Sequence, residues 1–183
     1  MKEDDIVIRE TLPEDIDSIL GVVSAAFCNE KEPQLVKDLL EDSSAQPILS
    51  LLAFENEKPI GHILFTKVTV DSAENQVTMA LLAPLAVVPE AQRRGVGGKL
   101  IDVGLKMLLK SGVERVFVLG HPEYYPKYGF KPAGCQGFQA PYPIPEECAG
   151  AWMVQNLGNR TFEKVSGKVI CARALDKPEY WRE

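Results

Sequence analysis

The stretch VVPEAQRRGVGGKLI, Val87 to Ile101, passes within a few residues from an apolar run through two arginines and three glycines into a segment with helical spacing. Glycine costs about 1 kcal/mol relative to alanine inside a helix, so three of them near a helix start call for a reason. Upstream, VTMALLAPLAVV (77–88) reads as a buried strand. Downstream, Val96, Leu100, Val103 and Met107 repeat at helical spacing, and Gly112 supplies a stop. A strand that feeds a glycine-rich turn and then a helix presents backbone N–H groups at the positive end of the helix dipole, which makes an anion site. A phosphate is the natural guest.

Two familiar phosphate loops fail on spacing. A Walker loop needs glycine five residues before the Gly98-Lys99 pair, where Arg93 stands, and Ser or Thr where Leu100 stands. The dinucleotide pattern GxGxxG fails because Leu100 takes the third glycine position after Gly95 and Gly97.

Working outward, a strand at Ile6–Arg9 precedes TLPE, where Thr11 and Glu14 form a capping box with Pro13 in the first turn. Ile16, Ile19, Leu20, Val23 and Phe27 then make one apolar stripe, and a second helix runs from about Pro33 to Glu41. ILSLLAF and IGHILFTKVTV flank the polar ENEKP and predict two antiparallel strands. RVFVLG, AWMVQNL and KVICARAL read as further strands, and PEYYPKY as a short helical segment. The alternation predicts an α+β or α/β fold with a strand-loop-helix crossover, in one domain over residues 1–183.

The 183 residues are 45% hydrophobic and 25% charged, an ordinary globular balance. A net charge of −6 argues against nucleic acid as partner, with Arg93 and Arg94 the local exception. Cys28, Cys135, Cys148 and Cys171 form no CxxC pair and His62 lies far from His121, so reduced structural thiols and no metal site are expected. The N-terminal MKEDDIVIRE is unlike a signal peptide and no apolar run approaches ~20 residues, which points to a cytoplasmic protein without a membrane partner.

At Gln92-x-x-Gly95-x-Gly97 the chain resembles the GNAT superfamily of N-acetyltransferases, whose Q/R-x-x-G-x-G/A segment follows the fourth strand and wraps the pyrophosphate of acetyl-coenzyme A. The resemblance implies that Gln92 opens that segment and that Arg93, Arg94, Gly95, Val96, Gly97 and Gly98 hold the pyrophosphate. Tyr125-x-x-x-Gly129-Phe130 is similar to the L-Y-x-x-x-G-F signature after the family's fifth strand, with Tyr124 in place of the leucine. Val118 stands where many relatives carry an asparagine that contacts the cofactor. The segments AAFCNEKEPQLVKDLL, IGHILFTKV, LGHPEYYPKYGFKPA and MVQNL look like a bacterial branch of predicted N-acetyltransferases with an HPEYYP..GF signature, over residues 6 to 175. The implied fold is a mixed, mostly antiparallel central sheet flanked by helices. The implied partners are acetyl-CoA as acyl donor and an amine acceptor, with a homodimer left open.

Acyl transfer from a thioester to an amine needs an uncharged amine, a stabilised oxyanion and a protonated leaving thiolate. The resemblance assigns cofactor alignment to the backbone of Leu85, Ala86 and Val87, pairing with the pantetheine arm like an added strand. It assigns thiolate protonation to Tyr125, whose ordinary pKa near ~10 keeps it a donor at neutral pH. His121 and Glu123 are the nearby candidate bases, and His62 reads as a satisfied sheet histidine. The loop Pro132–Glu147 and the segment Phe27–Glu32 are expected to border the acceptor pocket. The alternative is a non-catalytic acyl-CoA-binding or sensor module of the same fold.

Overall fold

The computed structural model describes residues 5–71, 77–158 and 165–182. Its strands are β1 (Val7–Glu10), β2 (Leu49–Glu55), β3 (Lys58–Val70), β4 (Met79–Val87), β5 (Arg115–Leu119), β6 (Lys131–Pro132), β7 (Phe138–Gln139), β8 (Trp152–Asn156) and β9 (Gly167–Ile170). Its α-helices are α1 (Ile16–Phe27), α2 (Lys31–Glu41) and α3 (Val96–Lys110). The strands lie in the order β1-β2-β3-β4-β5-β8-β6, while β9 pairs with the C-terminal end of β3 and carries β7. Only the pairs β4–β5 and β7–β9 are parallel among the described residues. This is the expected α+β architecture, a mixed and mostly antiparallel sheet flanked by helices.

The β2–β3 hairpin turns at Asn56 and Glu57, both at positive φ (49° and 65°), the geometry that matches the twist of paired strands. β3 is buried without interruption from Ile60 to Thr66, so both faces need cover. Helices α1 and α3 both pack against it. The seat of α3 is close: a Cβ at Gly104 would lie 2.5 Å from Cε2 of Phe65. Of the apolar stripe on α1, Ile19 and Val23 are buried together with Val22, while Ile16 and Leu20 are half-buried and Phe27 reaches the surface. Helix α2 starts two residues earlier than its sequence suggests, because the Asn29 side chain accepts from the N–H groups of Lys31 and Glu32. Beyond Ile170 the expected strand KVICARAL gives way to a 3₁₀ turn at Arg173–Leu175. No helix among the described residues is long and apolar enough to cross a membrane.

Two local readings are corrected. His62 is fully buried and only half satisfied: Nε2 lies 2.8 Å from Ser50 Oγ, while Nδ1 has no partner among the described residues. Burial pushes its pKa down to about 3. The start of α1 is not capped by Thr11. A 3₁₀ turn at Pro13–Asp15 precedes the helix, and the Asp15 carboxylate accepts from Leu12 N–H at 2.7 Å and from both Arg9 nitrogens at 2.7 and 3.0 Å. An acidic side chain three residues into the turn, charge-paired to β1, does what the sequence pattern assigned to Glu14, shifted by one residue.

Those bonds, the Arg9 pair first and the Leu12 N–H second, hold the Asp15 carboxyl down at about 2. A lowered carboxylate contributes stability that is complete above the unfolded value of 3.8 and is lost as pH falls through the folded value. Asp15→Asn should therefore lower the urea midpoint at neutral pH, and the gap to the parent protein should close between about pH 4 and pH 2. A gap that persists undiminished at the acid end would assign the effect to packing.

Candidate active site

Strands β4 and β5 pair from Met79↔Arg115 to Leu82↔Val118 and then part, while β4 continues along β3 as far as Val87. Pro84 lies in the parted segment and has no N–H to offer a neighbouring strand, and β3 is irregular opposite it, between Ile63 and Phe65. The gap is the floor of a cavity of about 520 Å³. Leu81, Leu82 and Val118 lie at its apex, and Leu85 and Val87 line the β4 side. Ala86, between them, is buried away from it.

The glycine-rich turn closes one end. Gln92 lines the cavity, and its Nε2 donates to the Val87 carbonyl at 2.9 Å, tying the loop back to the end of β4. Arg93 is exposed at a φ of 62°. Arg94 pairs with Glu55 at the end of β2, so the loop is also fastened to the β2–β3 hairpin. Gly95, at a φ of 81° with open space where a Cβ would be, precedes α3 in the left-handed conformation that glycine takes without strain. Its carbonyl accepts from Lys99 N–H at 3.0 Å, so the amides of Val96, Gly97 and Gly98 have no acceptor one turn back. The Val96 side chain faces the core.

Gly97 and Gly98 carry a second constraint that the sequence pattern hides. A Cβ at Gly97 would sit 2.6 Å from the Tyr124 hydroxyl oxygen, and one at Gly98 would sit 2.5 Å from that of Tyr128 and 3.0 Å from its ring. Two tyrosines from the turn after β5 thus rest against the first turn of α3. Tyr125, between them in sequence, turns inward: its ring packs edge-on to Phe130 at 5.7 Å and over Gly120. It is 8% exposed and lines the cavity. Burial pushes its phenol up to about 12. Tyr124 is raised further, by burial and then by its hydrogen bond with Tyr128. His121 lines the cavity, whereas Glu123 is exposed outside its wall.

The acceptor side matches one expectation and overturns another. Phe27, Lys31 and Glu32 line the cavity as anticipated, but no residue of 132–147 does. That loop serves the core instead, burying Phe138, whose carbonyl accepts from Trp152 Nε1 at 3.1 Å. The missing wall comes from Leu175 and from the last 3₁₀ turn, Glu179, Tyr180 and Trp181. An aromatic pair after Pro178 was the available signal, and periodicity gives no hint of where such a turn docks. No cluster of three or more metal-ligating side chains occurs among the described residues.

A family model described as an acetyltransferase (GNAT) domain matches residues 7–133. The uncharacterized N-acetyltransferase YjhQ of Escherichia coli K12 is 49% identical over 159 residues, 86% of this chain and 87% of the relative. The uncharacterized N-acetyltransferase YhbS of the same strain is 30% identical over 165 residues, covering 90% and 95%. The crystal structure of Escherichia coli YhbS in complex with CoA aligns with a TM-score of 0.84 at 28% identity, over 94% of this chain and 92% of that one. A GNAT family acetyltransferase from Brucella melitensis, in complex with acetyl-CoA, aligns with a TM-score of 0.74 at 30% identity, over 95% and 100%.

The packing at α3 yields a paired test. Gly97→Ala should destabilise by about 1–3 kcal/mol, as expected when a core contact is overfilled. In a Tyr124→Phe background the nearest atoms to the new Cβ are Leu85 Cδ2 at 3.5 Å and Tyr124 Cζ at 3.8 Å, ordinary contacts. There the same change should be neutral or stabilise by up to ~1 kcal/mol through helix propensity. Tyr128→Phe should not rescue Gly98→Ala, because ring carbons of Tyr128 already lie at 3.0 and 3.1 Å. Denaturant titrations of the single and double variants read all of these effects.

Proposed function

Because this chain belongs to the GNAT acetyltransferase family, we propose that it transfers the acetyl group of acetyl-CoA to a primary amine of a small molecule or protein. The observation that carries the reading is the gap between β4 and β5, whose cavity is lined both by Gln92 of the glycine-rich turn and by Tyr125. The residues present fit the donor. The β4 edge at Leu85–Val87 has left β5 and can take an extended amide-bearing arm as a strand takes a partner. The orphan amides of Val96 to Gly98 and the exposed guanidinium of Arg93 suit its phosphates. The relatives bound to CoA and to acetyl-CoA support the same ligand here.

Bound acetyl-CoA supplies the acetyl group as a thioester. The chain orients that group along β4 and admits the amine from the side of α2 and the C-terminal turn. His121, on the cavity wall, is placed to take the proton the amine releases as the C–N bond forms. Tyr125 Oη gives its proton to the sulfur as the C–S bond breaks. Burial raises its phenol, so it is protonated at neutral pH and has a proton to give.

Tyr125→Phe keeps the ring packed against Phe130 and removes the donor. Calorimetry should find acetyl-CoA affinity within about threefold of the parent protein, while turnover falls roughly 10²- to 10⁴-fold. With its phenol at about 12, Tyr125 contributes no alkaline limb to the rate profile at lower pH, so any such limb should survive the substitution. Unchanged turnover of an acetylated amine would remove Tyr125 from the reaction, and failure to bind acetyl-CoA at all would remove the reading itself.

A further inference from the structure

Resting on the acetyltransferase reading, we infer that the acceptor is a small diamine: one amino group enters the gap, and the second is held as an ammonium ion by Glu32, Glu179 and the ring of Tyr180. These three side chains line the cavity from α2 and the C-terminal turn, on elements other than the two strands that form the gap. Three observations converge there.

The first is Glu32. Its Oε2 has less than 1 Å² exposed and no hydrogen-bond partner among the described residues, although the side chain lines the cavity. A carboxylate with one oxygen withdrawn from water and left without a donor is unfavourable, and an ammonium in the cavity beside the side chain offsets its charge without having to reach Oε2. Neither Glu32 nor Glu179 is ion-paired among the described residues.

The second is Tyr180. The Lys31 ammonium rests 5.0 Å from its ring centroid, so an arriving ammonium shares the ring with Lys31 or displaces it. Lys31 is also the one cation among the charged lining residues, against two carboxylates, so the wall retains an excess of negative charge. Asp38, held by Gln34 Nε2 at 2.8 Å, adds to that field: after burial, the charges of Glu179, Asp38 and Glu32 raise the Tyr180 phenol.

The third is the division of the cavity. The reacting nitrogen must lose its charge to attack, and a carboxylate beside it would favour the charged form. Carboxylates on α2 and the C-terminal turn instead suit a nitrogen that stays protonated. Phe27, Leu35, Leu175 and Trp181, from the same elements and their neighbours, add apolar surface to the cavity for a short alkyl chain.

The test compares n-butylamine with 1,4-diaminobutane as acceptors, alongside calorimetric titration of the diamine into the CoA-loaded protein. The parent protein should favour the diamine at least tenfold in kcat/KM. Glu32→Gln and Glu179→Gln, both near-isosteric, should each cut that ratio about tenfold and weaken diamine binding in parallel. Using the ratio cancels any loss common to both amines. A parent protein that acetylates both amines equally, or variants that keep the full preference, would overturn the diamine site and leave the transferase reading intact. Diamine binding that depends on Glu32 without acetyl transfer to either amine would do the reverse. Neither binding nor transfer would overturn both.

Discussion

The molecule turns on one unshared strand edge. Backbone N–H and C=O groups inside a protein need partners, and a strand that leaves its neighbour must find them elsewhere. β4 resolves this by staying paired with β3 to its last residue while it parts from β5 after Leu82. The separation is enforced from both sides. Pro84 offers no N–H across the gap, and β5 ends at Leu119, followed by Gly120, where the Tyr125 ring occupies the space a side chain would need. Gln92 then ties the end of β4 to the turn that leads into α3, which holds the glycine-rich turn beside the open edge. The anchoring of Arg94 to Glu55 fixes that turn to the hairpin below it.

The three tyrosines of the turn after β5 differ in role according to where their hydroxyls end. Tyr124 and Tyr128 have their rings 5.3 Å apart and lie against α3, and Tyr124 also lines the cavity beside Tyr125. Tyr125 has the most buried ring of the three and lines the cavity. Neighbours in sequence therefore point differently: the Tyr124 and Tyr125 rings stand nearly perpendicular, at 87°, Tyr124 reaching α3 and Tyr125 packing over Gly120.

Much of this was legible in the residues. The β2–β3 hairpin, β4, α3 and its stop at Gly112 follow from apolar periodicity and turn chemistry, which are local. The gap-facing positions Leu85 and Val87 and the border Phe27–Glu32 were also within reach through the family resemblance. What escaped depends on distant chain. Asp15 closes the turn before α1 onto Leu12 N–H with Arg9 of β1 beside it, the 132–147 loop joins the core because Phe138 packs against Phe117 at 5.0 Å, and the C-terminal turn closes the cavity through contacts that no local pattern encodes. Gly97 and Gly98 stand out in the sequence as part of the strand-to-helix turn, but the packing reason for them lies some thirty residues away in Tyr124 and Tyr128.

His62, sealed within β3, gives the fold an acid limit of its own. Its ring stays neutral down to about pH 3 while folded, whereas in an unfolded chain it would gain a proton near 6.5. Above that value the two states hold the same number of protons at this site and the histidine is indifferent to pH. As acidity rises through the interval, opening of the chain becomes coupled to uptake of one proton, and each further step in pH favours the open form. The residue that fills the middle of the sheet as a neutral, half-bonded ring thus makes mild acidity a solvent condition the unfolded chain welcomes and the native one cannot answer.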